Sequence, residues 1–295
     1  MIRIPALTEK TQKRMLLIPA LIVLAAFTTL PYIMTFVLGL FKYDAANLGA
    51  NRFIGLNNYI DAMKDARFWN SLRVTVLFVT TSVAIEVVLG IAIAVLFNGL
   101  PKGRGLFQSL LLVPMVVPPI VVGLNWKLLL DPNYGIINYF FSLLGIPQQV
   151  WLSDPTWAIF ALAIVDVWQY TPFIALLTLA ILVALPRDPY EAAYLDGANP
   201  AQMFRFITLP LMRQGLTIII MLRVIECFKD FAKVYTLTSG GPGIATETLN
   251  FYVYINGFEF YKLGYSSALA IILFAIILVV SIFLMRKTTA QEKMQ

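Results

Sequence analysis

Residues 187–210 read RDPYEAAYLDGANPAQMFRFITLP. Two long apolar runs flank this stretch, which is the most polar and most punctuated part of a greasy chain. Asp188 suits a helix N-cap and Pro189 suits the first helical position. Glu191 stands at the third, where its side chain can reach back to the cap's backbone N–H. Ala192, Ala193, Tyr194 and Leu195 carry the helix on, and Gly197 can adopt the left-handed conformation that ends it. Asn199-Pro200-Ala201-Gln202 then repeats the same code, and a second helix runs toward Leu209-Pro210. Each cap contributes about 1 kcal/mol. The local chemistry therefore predicts a hairpin of two short helices bent sharply at Gly197. Such a hairpin has little core of its own. Tyr194, Leu195, Met203, Phe204 and Phe206 are left to lie on a bilayer or to fill a groove on another protein.

The flanking runs set the fold class. The chain has 295 residues, 59% hydrophobic and 13% charged; soluble domains carry about 25% charge. We expect an all-α integral membrane protein with six transmembrane helices, at about 15–41, 73–97, 106–130, 157–184, 206–228 and 264–285, each near the ~20 apolar residues a span needs. The first run exceeds the ~7–15 residues of a signal-peptide core, so it is expected to stay as a helix. Pro19, Pro31, Pro118, Pro119 and Pro172 fall inside spans and predict kinks, because neighbouring helices can satisfy the carbonyls they free. There is no histidine and one cysteine, Cys227, which removes histidine catalysis, structural zinc and internal disulfides.

The net charge of +6 lies at the ends and in the loops, which favours membrane orientation over nucleic-acid binding. Arg3, Lys10, Lys13 and Arg14 precede the first span, and Arg286, Lys287 and Lys293 follow the last. Lys102, Arg104, Arg187, Arg205 and Arg213 fall on that same side. Both termini (1–14 and 286–295) and the 187–210 hairpin are thus expected in the cytoplasm, with the membrane domain covering 15–285. On the other side, Tyr59, Ile60 and Met63 share a face and predict an interfacial helix.

The hairpin carries a further pattern. Glu191-Ala192-Ala193, three residues, Gly197, nine residues, then Ile207-x-Leu209-Pro210 resembles the EAA loop of ATP-binding-cassette (ABC) importer permeases. Leu195-Asp196-Gly197-Ala198 fits the carbohydrate branch of that family. So do Phe53-x-Gly55-Leu56-x-Asn58-Tyr59 and the stretch 235–254, YTLTSGGPGIATETLNFYVY, with Gly264-Tyr265-Ser266-Ser267-Ala268 after it. Across nearly its whole length the chain is similar to permeases of the maltose and multiple-sugar type, although no outer loop is long enough to form a folded domain. The resemblance implies that Glu191, Ala192, Ala193, Asp196, Gly197, Leu209 and Pro210 couple the chain to an ATP-binding subunit dimer. It also implies an extracytoplasmic solute-binding protein, a second permease subunit that is a non-identical relative, and a place in the cytoplasmic (inner) membrane. No Gly-Lys-Ser/Thr of a P-loop occurs, so no cofactor is expected in this chain, and ATP and magnesium would be held by the partner.

Polar groups inside spans point to a solute path. Asp166, Gln169, Tyr170 and Phe173 follow helical spacing on the fourth span, with Trp168 adjacent. Rings that lie on C–H faces and groups that bond hydroxyls are what a sugar needs. Arg223 and Glu226 share a face of the fifth span, and each would cost about 2.5–3.5 kcal/mol facing lipid. They are expected to pair with each other or with Glu86, either as a structural lock or as part of the path. Asn125, beside Trp126, is a further lining candidate. An ion-coupled secondary transporter using Glu86, Asp166 and Glu226 is the alternative, but such folds show paired repeats, and none is visible.

Overall fold

A computed structural model describes residues 9–47, 49, 51–100 and 104–292. Of the basic residues used for orientation, Arg3, Lys102 and Lys293 lie outside the described residues, as do most of 1–14 and the end of 286–295. The chain is helical: α1 Glu9–Gly39, α2 Asn57–Lys64, α3 Ala66–Asn98, α4 Arg104–Val116, α5 Pro119–Leu129, α6 Ile136–Leu143, α7 Pro155–Ala184, α8 Asp188–Leu195, α9 Pro200–Met203, α10 Leu209–Phe228, α11 Leu249–Tyr254 and α12 Leu263–Glu292. Two short strands, β1 Phe41–Lys42 and β2 Arg52–Phe53, pair antiparallel with Phe41 opposite Phe53. The residues form two compact units.

The first unit joins Met1–Asp65 to Val253–Ile272. Gly55 takes φ +58° and turns the chain from β2 into α2. There the buried Asn58 donates through Nδ2 to the carbonyls of Gly39 (2.8 Å) and Phe41 (2.9 Å) and so ends α1. The expected interfacial helix is α2, with Ile60 and Met63 exposed. Burial raises the Tyr59 phenol above its usual pKa. Gly39 makes room for that ring: a Cβ there would stand 2.7 Å from the Tyr59 hydroxyl. Tyr265 closes the unit by donating to Asp65 Oδ2 at 2.8 Å.

The second unit joins Ala66–Tyr252 to Leu273–Gln295. Its centre is the pair α3 and α7, which bury Phe78, Val83, Ala94, Leu162, Val165, Ile174 and Leu179. Lipid supplies no hydrophobic drive between helices, so close approach through small residues decides the packing. Gly90 provides it: a Cβ would lie 2.6 Å from Ile174 Cγ2 and 3.1 Å from the Ala175 nitrogen. The start of α3 is tied to the segment before α11. Arg67 donates to Glu247 Oε1 and Oε2 at 2.9 and 2.6 Å, and Ser71 donates to Glu247 at 2.9 Å.

Two expectations are corrected. The run 106–130 is not one kinked helix but two: α4 and α5 meet at 91° across a break. Pro118 and Pro119 both lack an N–H, and the residue before each proline is pushed toward extended backbone, as Pro118 shows at ψ 138°. Among the described residues, four helices are by length and composition able to cross a membrane, or five if this bent pair counts as one. The expected span at 206–228 is a helix, but α10 carries Arg213, Arg223 and Glu226.

The second correction concerns the hairpin. Asp188 does not cap α8. Arg187 already has helical angles, and its carbonyl accepts from Tyr190 and Glu191 N–H at 2.9 and 3.1 Å, so Asp188 is drawn into the first turn. The exit and second entry follow the sequence. Gly197 has φ +79°, with Gly197 N–H donating to Tyr194 O and Ala198 N–H to Ala193 O. Asn199 and Gln202 form a full capping box at 2.8 and 2.9 Å. Beyond it α9 does not stop. It passes through a wide π-helical stretch, Phe204–Thr208, into α10 as one continuous rod.

Gly90→Ala is expected to cost about 1–3 kcal/mol of stability by overpacking. In an Ile174→Ala background, where the colliding methyl is gone, the same change should cost less. Unfolding midpoints of the four proteins in detergent measure this, and equal losses in both backgrounds would refute the close-approach account.

Candidate functional site

Arg223 on α10 is 2% exposed and donates through Nε to Glu86 Oε2 at 2.7 Å and through Nη2 to Glu86 Oε1 at 2.9 Å. The same Nη2 donates to Asp166 Oδ2. One guanidinium thus clasps a carboxylate from α3 and another from α7. The second cation of the cluster comes from beyond α10. Lys233 Nζ meets Asp166 Oδ1 at 2.9 Å, Asp230 Oδ2 at 2.6 Å and Gln169 Oε1 at 3.3 Å. The Tyr170 ring packs against both cations, 4.2 Å from Arg223 Cζ and 4.6 Å from Lys233 Nζ. Cys227 Sγ lies 3.6 Å from Asp166 Oδ2. Buried charges of this kind are tolerated only when paired and hydrogen-bonded, and here three carboxylates meet two cations.

Lys233 reaches the cluster because the chain folds back after α10 into a second π-helical stretch, Val234–Thr238. Gly123 on α5 permits this: a Cβ would collide with Thr236 Oγ1. The broken span is fastened to the same place. Gln169 Nε2 donates to the Val117 carbonyl at 3.0 Å, at the break between α4 and α5.

A cleft of about 260 Å³ opens beside the cluster, lined by Pro119, Tyr170, Arg223, Glu226, Lys229, Asp230, Phe231, Ala232 and Lys233. Of the residues expected along a solute path, Tyr170, Arg223 and Glu226 line it. Asp166 and Gln169 are buried behind it. Trp168 packs edge-on against Trp126 at 5.6 Å; it, the half-buried Phe173 and the exposed Asn125 are not among the lining residues. The expected Arg223–Glu226 pair does not form. Glu226 is 59% exposed and bonds Lys229 at 2.7 Å, while Arg223 takes the alternative partner Glu86. One turn along the helix swings Glu226 out of the core. Lys229, Asp230 and Lys233 escaped the sequence reading because their places depend on the fold-back; the only signal was Asp230-x-x-Lys233, an i,i+3 pair just past the span.

At the other end of α10 the hairpin is exposed. Tyr194 and Leu195 are 76% and 86% exposed, and Glu191, Ala192, Asp196, Gly197, Leu209 and Pro210 are exposed as well, with Ala193 half-buried. A groove of about 980 Å³ lies beneath it, with Val95, Leu182, Tyr190, Met203 and Phe204 among its walls. Tyr190 donates to Thr208 Oγ1 at 3.0 Å and so ties α8 to the base of α10.

Residues 86–288 match the family described as binding-protein-dependent transport system inner membrane component. The chain belongs to that family. It is similar to a probable ABC transporter permease of Sinorhizobium fredii, 41% identical over 89% of this chain and 85% of the relative. It is also similar to the trehalose/maltose transport system permease protein MalF of Thermococcus litoralis, 39% identical over 90% and 89%. The crystal structure of a bacterial alginate ABC transporter, in complex with alginate pentasaccharide-bound periplasmic protein, contains a chain with TM-score 0.81 that covers 94% of this chain and 95% of its own; at 20% identity it shows the fold alone. The protein is therefore an ABC-importer permease, a multi-pass transport subunit of the inner membrane, and not an ion-coupled secondary transporter.

Removing one partner of a buried pair leaves its mates uncompensated. Arg223→Met is expected to cost about 3–5 kcal/mol of stability. Glu226→Gln, at an exposed pair, should change stability by less than about 1 kcal/mol. Unfolding midpoints in detergent check the contrast; equal effects would contradict it.

Proposed function

We propose that this permease carries a polyhydroxylated solute, a sugar or polyol, by alternating access, and that ATP hydrolysis in a separate subunit drives it through the 187–210 hairpin. The observation that supports this most is the rod from α9 through Phe204–Thr208 into α10, which joins the exposed hairpin to the cleft at Arg223. Pro200 to Arg223 spans roughly 35 Å at about 1.5 Å per residue. A push at the hairpin has no loop to dissipate in before it reaches the ion cluster.

In this reading Glu191, Ala192, Ala193, Asp196, Gly197, Leu209 and Pro210 form the coupling face, and Tyr194 and Leu195 offer apolar anchors to a groove on the ATP-binding subunit dimer, which holds ATP and magnesium. The solute meets the edge of Tyr170 and the Glu226–Lys229 pair, all at the cleft. Arg223 acts behind them, as a lock more than as a ligand, since its donors are committed to Glu86 and Asp166. α10 counts as a sixth span alongside the bent pair, because its buried charge is neutralised within the protein. Both termini and the hairpin are then cytoplasmic. A second permease subunit, a non-identical relative, would supply the facing wall of the path, and an extracytoplasmic binding protein would deliver the solute. The solute named for a relative, trehalose/maltose, supports a carbohydrate.

The test is Gly197→Asp in vesicles holding the assembled transporter and its binding protein. A non-glycine residue in this left-handed position costs roughly 1–2 kcal/mol, and the added charge sits in the joint. Solute-stimulated ATPase activity and uptake should both fall by about tenfold or more while the chain still inserts. Uptake that persists without ATP and follows an ion gradient would contradict the proposal.

A further inference from the structure

Far from the cluster, at the amino-terminal ends of α3 and α7, a groove of about 480 Å³ lies between the two helices. Its walls are Val74, Leu77 and Phe78 from α3 and Ile159, Phe160 and Ala163 from α7. On each helix these recur at three- and four-residue spacing, so the slot runs along both. Arg73 to Thr81, at about 1.5 Å per residue, gives a length of roughly 12 Å. Leu77 and Phe160 are exposed, so the slot opens sideways from the bundle.

Its rim is polar. Asn70, Arg73 and Thr156 stand there. The Asn70 amide is committed to the Ile244 carbonyl at 3.0 Å, and Asp154 spends its carboxylate on the N–H groups of Thr156 and Trp157. Arg67, one element start away, is clasped by Glu247. Arg73 is different: it is exposed, and no carboxylate among the described residues pairs with it. Trp69, four residues before Arg73, and Trp157, next to Thr156, are both exposed. Tryptophans at the ends of two neighbouring spans mark the headgroup level of a bilayer. An exposed guanidinium thus sits at headgroup depth over a largely apolar slot that runs toward the membrane centre.

We propose that this groove holds one glycerophospholipid, its phosphate on the Arg73 guanidinium and one acyl chain in the slot between α3 and α7. The planar fork of arginine matches phosphate oxygens in two-point contact. The apolar walls have no use for a free phosphate, and the single cation has no use for a purely apolar partner; an amphiphile with an anionic head satisfies both. The site would brace the α3–α7 pair from outside, on the side opposite the hairpin end of α7.

The experiment is native mass spectrometry of the full-length chain in mild detergent, titrated with dioleoyl phosphatidylglycerol or with inorganic phosphate. One lipid should be retained per wild-type chain. Arg73→Gln should weaken retention by about tenfold or more, the value of at least one charge-assisted contact, and Arg73→Lys, which keeps the charge but loses the two-point fork, should fall between the wild type and Arg73→Gln. Thr81→Phe, which fills the lower end of the slot, should abolish retention with the unfolding midpoint unchanged. That control separates loss of the site from loss of the fold. Equal lipid retention by wild type and Arg73→Gln would overturn the proposal, as would competition by inorganic phosphate at comparable concentration. Loss of the lipid when a second permease subunit associates would show instead a protein interface, and would overturn it too.

Discussion

Arg223 is the residue on which the rest of the second unit turns. A guanidinium cannot face hydrocarbon, so α10 can lie among apolar helices only where carboxylates meet it. Glu86 on α3 and Asp166 on α7 do so. The requirement runs in both directions, because each carboxylate would be equally intolerable alone. Three helices are therefore held in one rotational setting by charge, where apolar side chains against lipid would leave them free to slip. Lys233 extends the constraint to the chain beyond α10, since its ammonium bridges Asp166 and Asp230.

Several features of the fold follow from that placement. The π-helical stretch Val234–Thr238 brings Lys233 back into the bundle, and Gly123 lets it pass α5. Gln169 shares the Lys233 ammonium and also donates to the Val117 carbonyl, so the break between α4 and α5 is fastened to the same cluster. The cleft beside Tyr170 is bounded by groups that this network fixes. At the far end of α10, the hairpin inherits its position from the same rod. In the proposed mechanism, a motion of the hairpin and a change in the cleft are two ends of one displacement.

What the sequence made legible was mostly local. Gly197 and the Asn199–Gln202 box could be read because their hydrogen bonds close within a few residues. Asp188 misled because the angles of Arg187, outside the motif, decide where α8 starts. Pro118-Pro119 announced a disturbance, but the size of the bend, 91°, and the distant donor that meets the break, Gln169, are set by the fold and leave no local mark. Arg223 advertised its need for a partner through its cost in lipid. Its choice of Glu86 over Glu226 needed the rotation of α10, and Lys233 needed the fold-back; neither leaves a mark at short range. The cleft was thus half visible: the side chains inside spans were flagged, while those that arrive from beyond the span were not.

The account stands most directly on the energetic coupling of Arg223 to Glu86, which a double-mutant cycle measures. Unfolding midpoints and free energies of the wild type, Arg223→Met, Glu86→Leu and the double variant, in one detergent, give the interaction term. If the buried pair is the constraint described, the double variant should be less destabilised than the sum of the single ones by about 2–3 kcal/mol, because removing both charges leaves neither stranded. Single losses that add to within about 0.5 kcal/mol would show the two residues to be independent, and the central role given to this pair would be wrong.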